Sequence, residues 1–417
     1  MDAQQNQGDS TRAQKEAKTV TTATAMAPLK EVVGDAKVID CDTHYTEPPD
    51  LWTSRAPAAY KDKMPYMKTV NGQSLWFVEG DRPWGMVGTT VVATGGVKVR
   101  GKLTLASFEE MDEAAYKVKP RLEVMDRMGV WAQIVYPNAC GFGATKFLSI
   151  EDKGLQVECV KIYNDAIAEW QADSNGRLFP QGLLPFWDMD ATLKEARRVK
   201  EELHLTGVTL TDRPEAFGLP DYGEAYWEPL WELMNDLELP IDFHIGSGMK
   251  TFVLDDYAWR SFGPQRKLAS IATLMYMSNA YMVNCFIMSG LFDRYPNLKL
   301  ISVESGCGWV PFIMEAAEYQ WEEMAPDELK ELKRRPTEYF KDHIYATFWF
   351  EDAGVKHFIE AIGPDNLLFE TDFPHPTCLY PESQEHLARV LARLEPSVRQ
   401  RVVQDNAVEL YKLPIPA

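Results

Sequence analysis

Val38-Ile39-Asp40-Cys41-Asp42-Thr43-His44-Tyr45-Thr46-Glu47 opens apolar and closes in acids around one imidazole. Extended backbone has a period of two, so Asp40, Asp42 and His44 share one face. A buried strand ending in Asp-x-His sets oxygen and nitrogen donors side by side, which suits a divalent metal of the zinc, manganese or iron kind. A single strand of this kind equally fits a turn with a surface hydrogen bond. The reading therefore turns on whether later strands end the same way.

Working outward, the chain has 417 residues, 45% of them hydrophobic, enough for one barrel-sized domain or two smaller ones. Its net charge of −19 repels nucleic acid and anionic membranes, so neither is expected as a partner. An anionic substrate stays open, because metals and buried arginines reverse the local field. Six cysteines (Cys41, Cys140, Cys159, Cys285, Cys307, Cys378) form no CxxC pair, which reads as reduced thiols in a cytoplasmic protein. No apolar run reaches transmembrane length, and residues 1–35 read as a flexible or partner-embracing arm before a single domain over 36–417.

Residues 48–118 separate the first strand from the next core element, and a connection this long is uncommon unless functional. It reads as a lid inserted after the first strand, lined by Trp52, Trp76 and Trp84, with β-like runs at 74–78 and 89–93. An oligomer contact is the competing reading. Strands and helices then alternate. Strands are expected to begin near residues 38, 131, 178, 207, 240, 298, 344 and 366, with helical periodicity between most of them and a long helix from Leu268 to Leu291. Eight βα units predict an α/β (β/α)8 TIM barrel, with its site at the C-terminal ends of the strands. A doubly wound sheet fits the alternation less well, since no GxGxxG follows the first strand.

Those ends carry the chemistry. The first strand gives Asp42 and His44, the fifth His244, the sixth Glu304, and the eighth Asp372, with His375 three residues on. Each alone fits a cap, a turn or a hydrogen-bonded core residue. Converging at one barrel mouth, they predict a metal site. The remaining histidines (His204, His343, His357, His386) read as structural or solvated. Glu47 and Glu370 are expected to support the ligands from behind. Arg100, Lys146 and Arg260 lie in loops that could reach the mouth and hold a substrate carboxylate.

The motif Asp40-x-Asp42-x-His44-x-x-Glu47-Pro48 resembles the first-strand motif of the amidohydrolase superfamily, in the branch of aminocarboxymuconate-semialdehyde decarboxylase-like proteins. Three further stretches are similar: Leu291-Phe-Asp-Arg-Tyr-Pro-Asn-Leu-Lys-Leu, Gly306-Cys-Gly-Trp-Val-Pro311 and Glu370-Thr-Asp-Phe-Pro-His375. The resemblance spans about residues 37–412. It implies a (β/α)8 barrel with metal ligands at Asp42, His44, His244 and Asp372.

The chain departs from that branch at one position. The sixth strand usually presents a proton-handling histidine, and here it presents Glu304. A carboxylate can bridge two cations. With Asp42, Glu304 and Asp372 as carboxylates and His44, His244 and His375 as imidazoles, the set suits two divalent ions, iron with iron, manganese or zinc. This makeup is similar to the amidohydrolase-related dinuclear oxygenases. The first expectation is therefore an iron-containing monooxygenase that hydroxylates a small organic acid, with Glu304 and Asp372 at the reacting centre. It would need O2, an external electron donor and a water-excluding lid. The alternative is a mononuclear zinc or manganese hydrolase or non-oxidative decarboxylase. A third reading is an inactive metal-bearing subunit, since such barrels can pair with a related chain. The polar N-terminal arm and the apolar stretch around Leu268 to Leu291 would fit such an interface, and a homo-oligomer or such a hetero-oligomer is expected.

Overall fold

Eight parallel strands separated by helices make up the computed structural model, which describes residues 27–249 and 258–415. The strands are β1 Ile39–His44, β2 Ala132–Tyr136, β3 in two pieces (Leu178–Pro180 and Gly182–Leu183), β4 Val208–Thr209, β5 Ile241–His244, β6 Leu300–Val303, β7 Ile344–Phe348 and β8 Leu367–Phe369. Each begins within about two residues of its expected place. Nearly every strand residue is buried, as parallel strands covered on both faces require. β1, β2 and β3 pair in order, and the second piece of β3 continues the order through to β8. Past β8 the chain closes the barrel on β1: Asp372 N donates to Asp42 O and His44 N to Phe373 O, each at 2.8 Å. The expected (β/α)8 architecture is thus present.

The helices cover the outside. They are α1 Leu29–Val33, α2 Val118–Met128, α3 Lys153–Ala172, α4 Met189–Glu201, α5 Glu228–Leu237, α6 Pro264–Met275, α7 Asn279–Met288, α8 Leu291–Arg294, α9 Val310–Glu323, α10 Pro336–His343, α11 Ala353–Ala361, α12 Ser383–Leu391, α13 Pro396–Gln400 and α14 Asn406–Tyr411. Local chemistry sets their ends. Asp152 caps α3 by accepting from Gly154 N and Leu155 N, and Asp188 caps α4 by accepting from Ala191 N. Gly129, at φ 71°, terminates α2 in the left-handed conformation.

The single helix expected from Leu268 to Leu291 is instead α6, α7 and α8. Asn279 explains the first break: its buried amide donates to Phe243 O at 2.8 Å and Ser302 Oγ at 3.1 Å, drawing the chain toward the ends of β5 and β6. At the opposite end of the barrel, Ala407, Leu410, Tyr411 and Leu413 join the interior cluster of Ile39, Ala132, Ile134, Ile301 and Leu368. Tyr411 Oη donates to Asp242 Oδ1 at 2.7 Å. The expected arm over 1–35 falls mostly outside the described residues; its described end carries α1, which buries Leu29 and Val32 and packs on α12.

Segment 48–118 builds an antiparallel sheet of Tyr66–Val70, Gln73–Val78 and Arg82–Met86. Of the run expected at 89–93, Val92–Ala93 pairs, with Val97–Lys98. Its tryptophans do not line the mouth. Trp52, Trp76 and Trp84 are buried against one another, with centroids 5.1 to 6.3 Å apart, and against Phe147. Trp52 Nε1 donates to Cys159 O in α3 at 3.0 Å, so the three rings form a core that anchors the insertion. Backbone loops make its approach to the site: Val91 N donates to Pro374 O at 3.1 Å, and the Thr90 hydroxyl lies 2.6 Å from that of Thr46.

Candidate metal centre

The barrel brings all six expected ligands together. Asp42, His44, His244 and Glu304 form one group, and His44, Glu304, Asp372 and His375 a second, with the donor atoms of each within 4.8 Å of one another. Asp42, His44, His244 and Asp372 are fully buried; Glu304, 8% exposed, is the member most open to the mouth. None of the other four histidines joins either group among the described residues.

Main-chain carbonyls aim the two central imidazoles. His44 Nδ1 lies 2.8 Å from Pro137 O, and His244 Nδ1 lies 2.9 Å from Ile245 O. Each Nδ1–H donates there, which leaves each Nε2 lone pair pointing inward. The two Nε2 atoms are 3.3 Å apart. His44 Nε2 is 3.3 Å from Asp42 Oδ1 and 3.4 Å from Asp372 Oδ1, and His244 Nε2 is 3.3 Å from Glu304 Oε2. Ligands at ~2.0–2.1 Å from one tetrahedral ion stand about 3.3–3.4 Å apart. Both oxygens of Asp42 and Asp372 Oδ1 lack a hydrogen-bond donor among the described residues. Buried anionic oxygens beside lone pairs at this spacing fit a divalent cation.

His375 completes the second group. Its ring stacks on His44 at 3.5 Å, and its Nδ1 lies 2.8 Å from Asp372 Oδ1. Glu47 and Glu370 lie outside both ligand groups. Glu47 accepts from the main-chain N–H groups of Asn138, Ala139 and Cys140 at 3.1, 2.7 and 3.3 Å. It thereby fixes the loop that begins at Pro137. Glu370 Oε2 accepts from Glu304 N at 3.2 Å. Asp40 lies deeper in the barrel, where its carboxylate accepts from Thr371 N, Thr371 Oγ1 and Gln133 Nε2. Glu304 and Asp372 have φ of 55° and 61°, a left-handed conformation rare for acids outside sites where surrounding contacts enforce it.

Crowded buried acids shift one another. Burial, then the charge of Asp372, pushes the Glu304 carboxyl well above its usual range. Burial, then Asp42, does the same to Glu370, and burial lifts Asp372 to about 6. For Asp42 burial also raises, but the imidazoles of His244 and His44 outweigh it and the net shift is downward. Burial lowers His375 to about 3. Burial opposes charge on His244 too, yet Asp42 outweighs it and the net shift is upward.

Sequence reasoning missed the aromatic surround. Phe142 lies over the imidazoles, its ring 3.9 Å from His244 and 5.1 Å from His44. Tyr276 packs against Trp349 and Phe350, and its phenol is pushed upward by burial and then by Glu304. Thr377 Oγ1 donates to Asp372 Oδ2 at 3.3 Å. The expected substrate cations go elsewhere or stay out: Arg100 pairs with Glu382 at 2.9 Å, Lys146 lies over Gly85 of the insertion, and Arg260 is exposed. The buried cation near the site is Arg121, whose Nη2 donates to His44 O at 3.2 Å and whose guanidinium lies 4.6 Å from the Phe373 ring.

A barrel with this donor set defines a metal-centred αβ-barrel protein, and comparison with known proteins supplies its family. Residues 39–413 match the Amidohydrolase family model, and the chain belongs to that family. A gamma-resorcylate decarboxylase of Polaromonas sp. (strain JS666) is 27% identical over 310 residues, covering 70% of this chain and 86% of that protein. Among solved structures, an amidohydrolase from Mycobacterium avium subsp. paratuberculosis K-10 superposes with TM-score 0.68 at 19% identity, covering 90% and 98% of the two chains. A dihydroxybenzoic acid decarboxylase from Polaromonas sp. JS666, solved with bound manganese, gives TM-score 0.60 at 20% identity, covering 91% and 97%. The expected decarboxylase-like branch is the one these relatives occupy.

The same relatives overturn the expectation of a monooxygenase. The curated relatives are named as decarboxylases, so oxidoreductase chemistry, iron as the working metal, and the O2 and electron donor that followed from it are withdrawn. The expectation of two ions counted three carboxylates and three imidazoles; in the structure the two ligand groups share His44, whose Nδ1 is committed to Pro137 O. The two groups share Glu304 as well as His44.

Proposed function

We propose that this chain is a metal-dependent, non-oxidative decarboxylase of a small carboxylic acid, holding one divalent cation, manganese or zinc. The observation that carries the reading is the cage spacing: His44 Nε2, His244 Nε2, Asp42 and Asp372 oxygens at 3.3 to 3.6 Å, with His44 Nδ1 held by a main-chain carbonyl. The names of the curated relatives give the reaction class. Asp42, His44, His244 and Asp372 would hold the ion, with Glu304 at the open edge. A cation there supplies a Lewis acid that fixes and polarises the substrate's oxygens.

The remaining work falls to the chain. Decarboxylation breaks the bond from carbon to carboxylate, releases CO2 and leaves an electron pair on carbon that takes one proton. Glu304 is placed to deliver it: burial and Asp372 favour its protonated form, and it is the cage residue nearest the mouth. His375 stacks on the His44 ring and packs beside Asp372. Phe142 shields the imidazoles from solvent at one side. Loops 88–91 and 96–98 of the insertion support the segment after β8, consistent with a lid over this end. The six cysteines form no disulfide, which supports a reducing, cytoplasmic setting.

The test is CO2 release from a panel of small aromatic and unsaturated carboxylic acids, with metal-depleted protein reloaded with manganese or zinc. Metal-dependent CO2 release without O2 uptake supports the proposal. Metal binding with no CO2 release from any acid of the panel argues against it.

A further inference from the structure

Three of the four residues proposed to hold the cation stand where the barrel closes: Asp42 and His44 on β1, and Asp372 just past β8. The junction between them is thin. β1 forms a ladder with β2, and β8 forms one with β7. β1 and the segment after β8 share an isolated bridge, Thr43 with Phe373, in place of a ladder. Ligand spacing across this junction therefore needs support from side chains.

Arg121 supplies it from both sides. The residue is fully buried in α2. Toward β1, its Nη2 donates to His44 O at 3.2 Å. Toward β8, its guanidinium lies 4.6 Å from the ring of Phe373, the residue after Asp372. Its Nε donates to Gln133 Oε1 at 2.7 Å, and Gln133 Nε2 donates to Asp40 Oδ2 at 3.1 Å. Asp40 in turn accepts from Thr371 N at 2.8 Å and Thr371 Oγ1 at 2.6 Å, and Thr371 is the residue before Asp372. Asp372 is thus flanked by two residues that Arg121 holds, one by a ring face and one through Gln133 and Asp40. The third bond of the guanidinium, Nη1 to Ala114 O at 3.1 Å, ties the end of the insertion to the same point. All three bonds go to neutral oxygens. A buried arginine committed in this way is placed for its planar fork, which a lysine does not reproduce.

We infer that Arg121 is a positioning residue for the cation site: it fastens β1 to the end of β8 so that Asp42 and His44 meet Asp372 at ligand spacing. This role rests on the cation site proposed for the chain. Arg121 touches neither substrate nor reacting atoms; it acts through the His44 carbonyl, the Phe373 ring and the Gln133–Asp40–Thr371 bonds.

Cobalt(II) is the probe, because its visible bands report ligand number and geometry. Full-length protein is depleted of metal and titrated with cobalt, and circular dichroism and melting follow the fold. Arg121→Gln is expected to lower cobalt affinity about 10–100-fold, as loss of ligand-orienting contacts does, and to shift the bands. Gln133→Met cuts the link to Asp40 and leaves the fork on His44 O. It is expected to shift the bands with a loss of about tenfold, the lower end of that range. A lower melting temperature with parental affinity and parental bands in R121Q would make Arg121 a stability residue alone and overturn the inference. Where R121Q does not fold, parental affinity and bands in Q133M overturn it. A parent protein that takes up no cobalt overturns the cation site itself, and this role with it; a parent that binds cobalt while the variants bind it equally well overturns the role alone.

Discussion

The carboxylate of Glu370 accepts the main-chain N–H of Glu304 at 3.2 Å, so one buried acid holds the backbone of another. Glu304 has a left-handed φ of 55°, and this hydrogen bond is one of the contacts that keeps it there. Its side chain then spans from the His244 imidazole toward the mouth.

Glu304→Gln removes the proposed proton donor and keeps the shape. CO2 release should fall about 10²–10⁴-fold, the usual worth of a general acid. Metal content should stay near that of the parent, because Asp42, His44, His244 and Asp372 are untouched. Unchanged turnover would take the proton-donor role from Glu304.

Glu47 acts at one remove. It fixes Asn138, Ala139 and Cys140, and the adjoining Pro137 carbonyl orients His44. In Glu47→Gln one acceptor becomes an N–H donor facing main-chain N–H groups. Metal affinity should fall about 10–100-fold, as on loss of other ligand-orienting contacts. Titration of the apo-protein with manganese measures it.

Much of this was legible in the sequence. Strand period and strand-end chemistry found eight strands and six cage residues, because both are encoded within a few neighbouring positions. Phe142 and Arg121 were not legible. Phe142 meets His244 across 102 positions and Arg121 meets His44 across 77, and neither residue type signals such a contact locally. Trp52, Trp76 and Trp84 misled for the same reason, since burial against one another looks in sequence like exposure to a mouth.

His343 gives a pH prediction remote from the metal. Burial between Phe292 and the Leu298 carbonyl lowers its pKa to about 4, and Arg334 Nη2 donates to its Nε2 at 3.1 Å. Between pH 6.5 and 4 the unfolded chain binds this proton and the folded one does not. Its contribution is therefore full above 6.5 and lost as pH falls toward 4. The melting temperature of His343→Gln, followed from pH 8 to 4, should decline less steeply over that window than that of the parent. Parallel curves would show that His343 carries none of the slope.

Removing the metal should cost stability as well as activity. Ligand present at 100 times its dissociation constant stabilises a folded chain by about 2.7 kcal/mol. A chelator should lower the melting temperature by a few degrees, and manganese or zinc should restore it. No change on chelation would argue that the cage binds no ion under those conditions.

The hydrogen bond from Asp372 N to Asp42 O joins residues 330 positions apart, and the cage straddles that join. Donors on either side are remote from each other until the first and last strands meet. Metal capture should therefore require this seam to be closed. In refolding experiments, the time course of manganese uptake would follow ring closure while circular dichroism followed the helices, separating two events that ordinary probes merge.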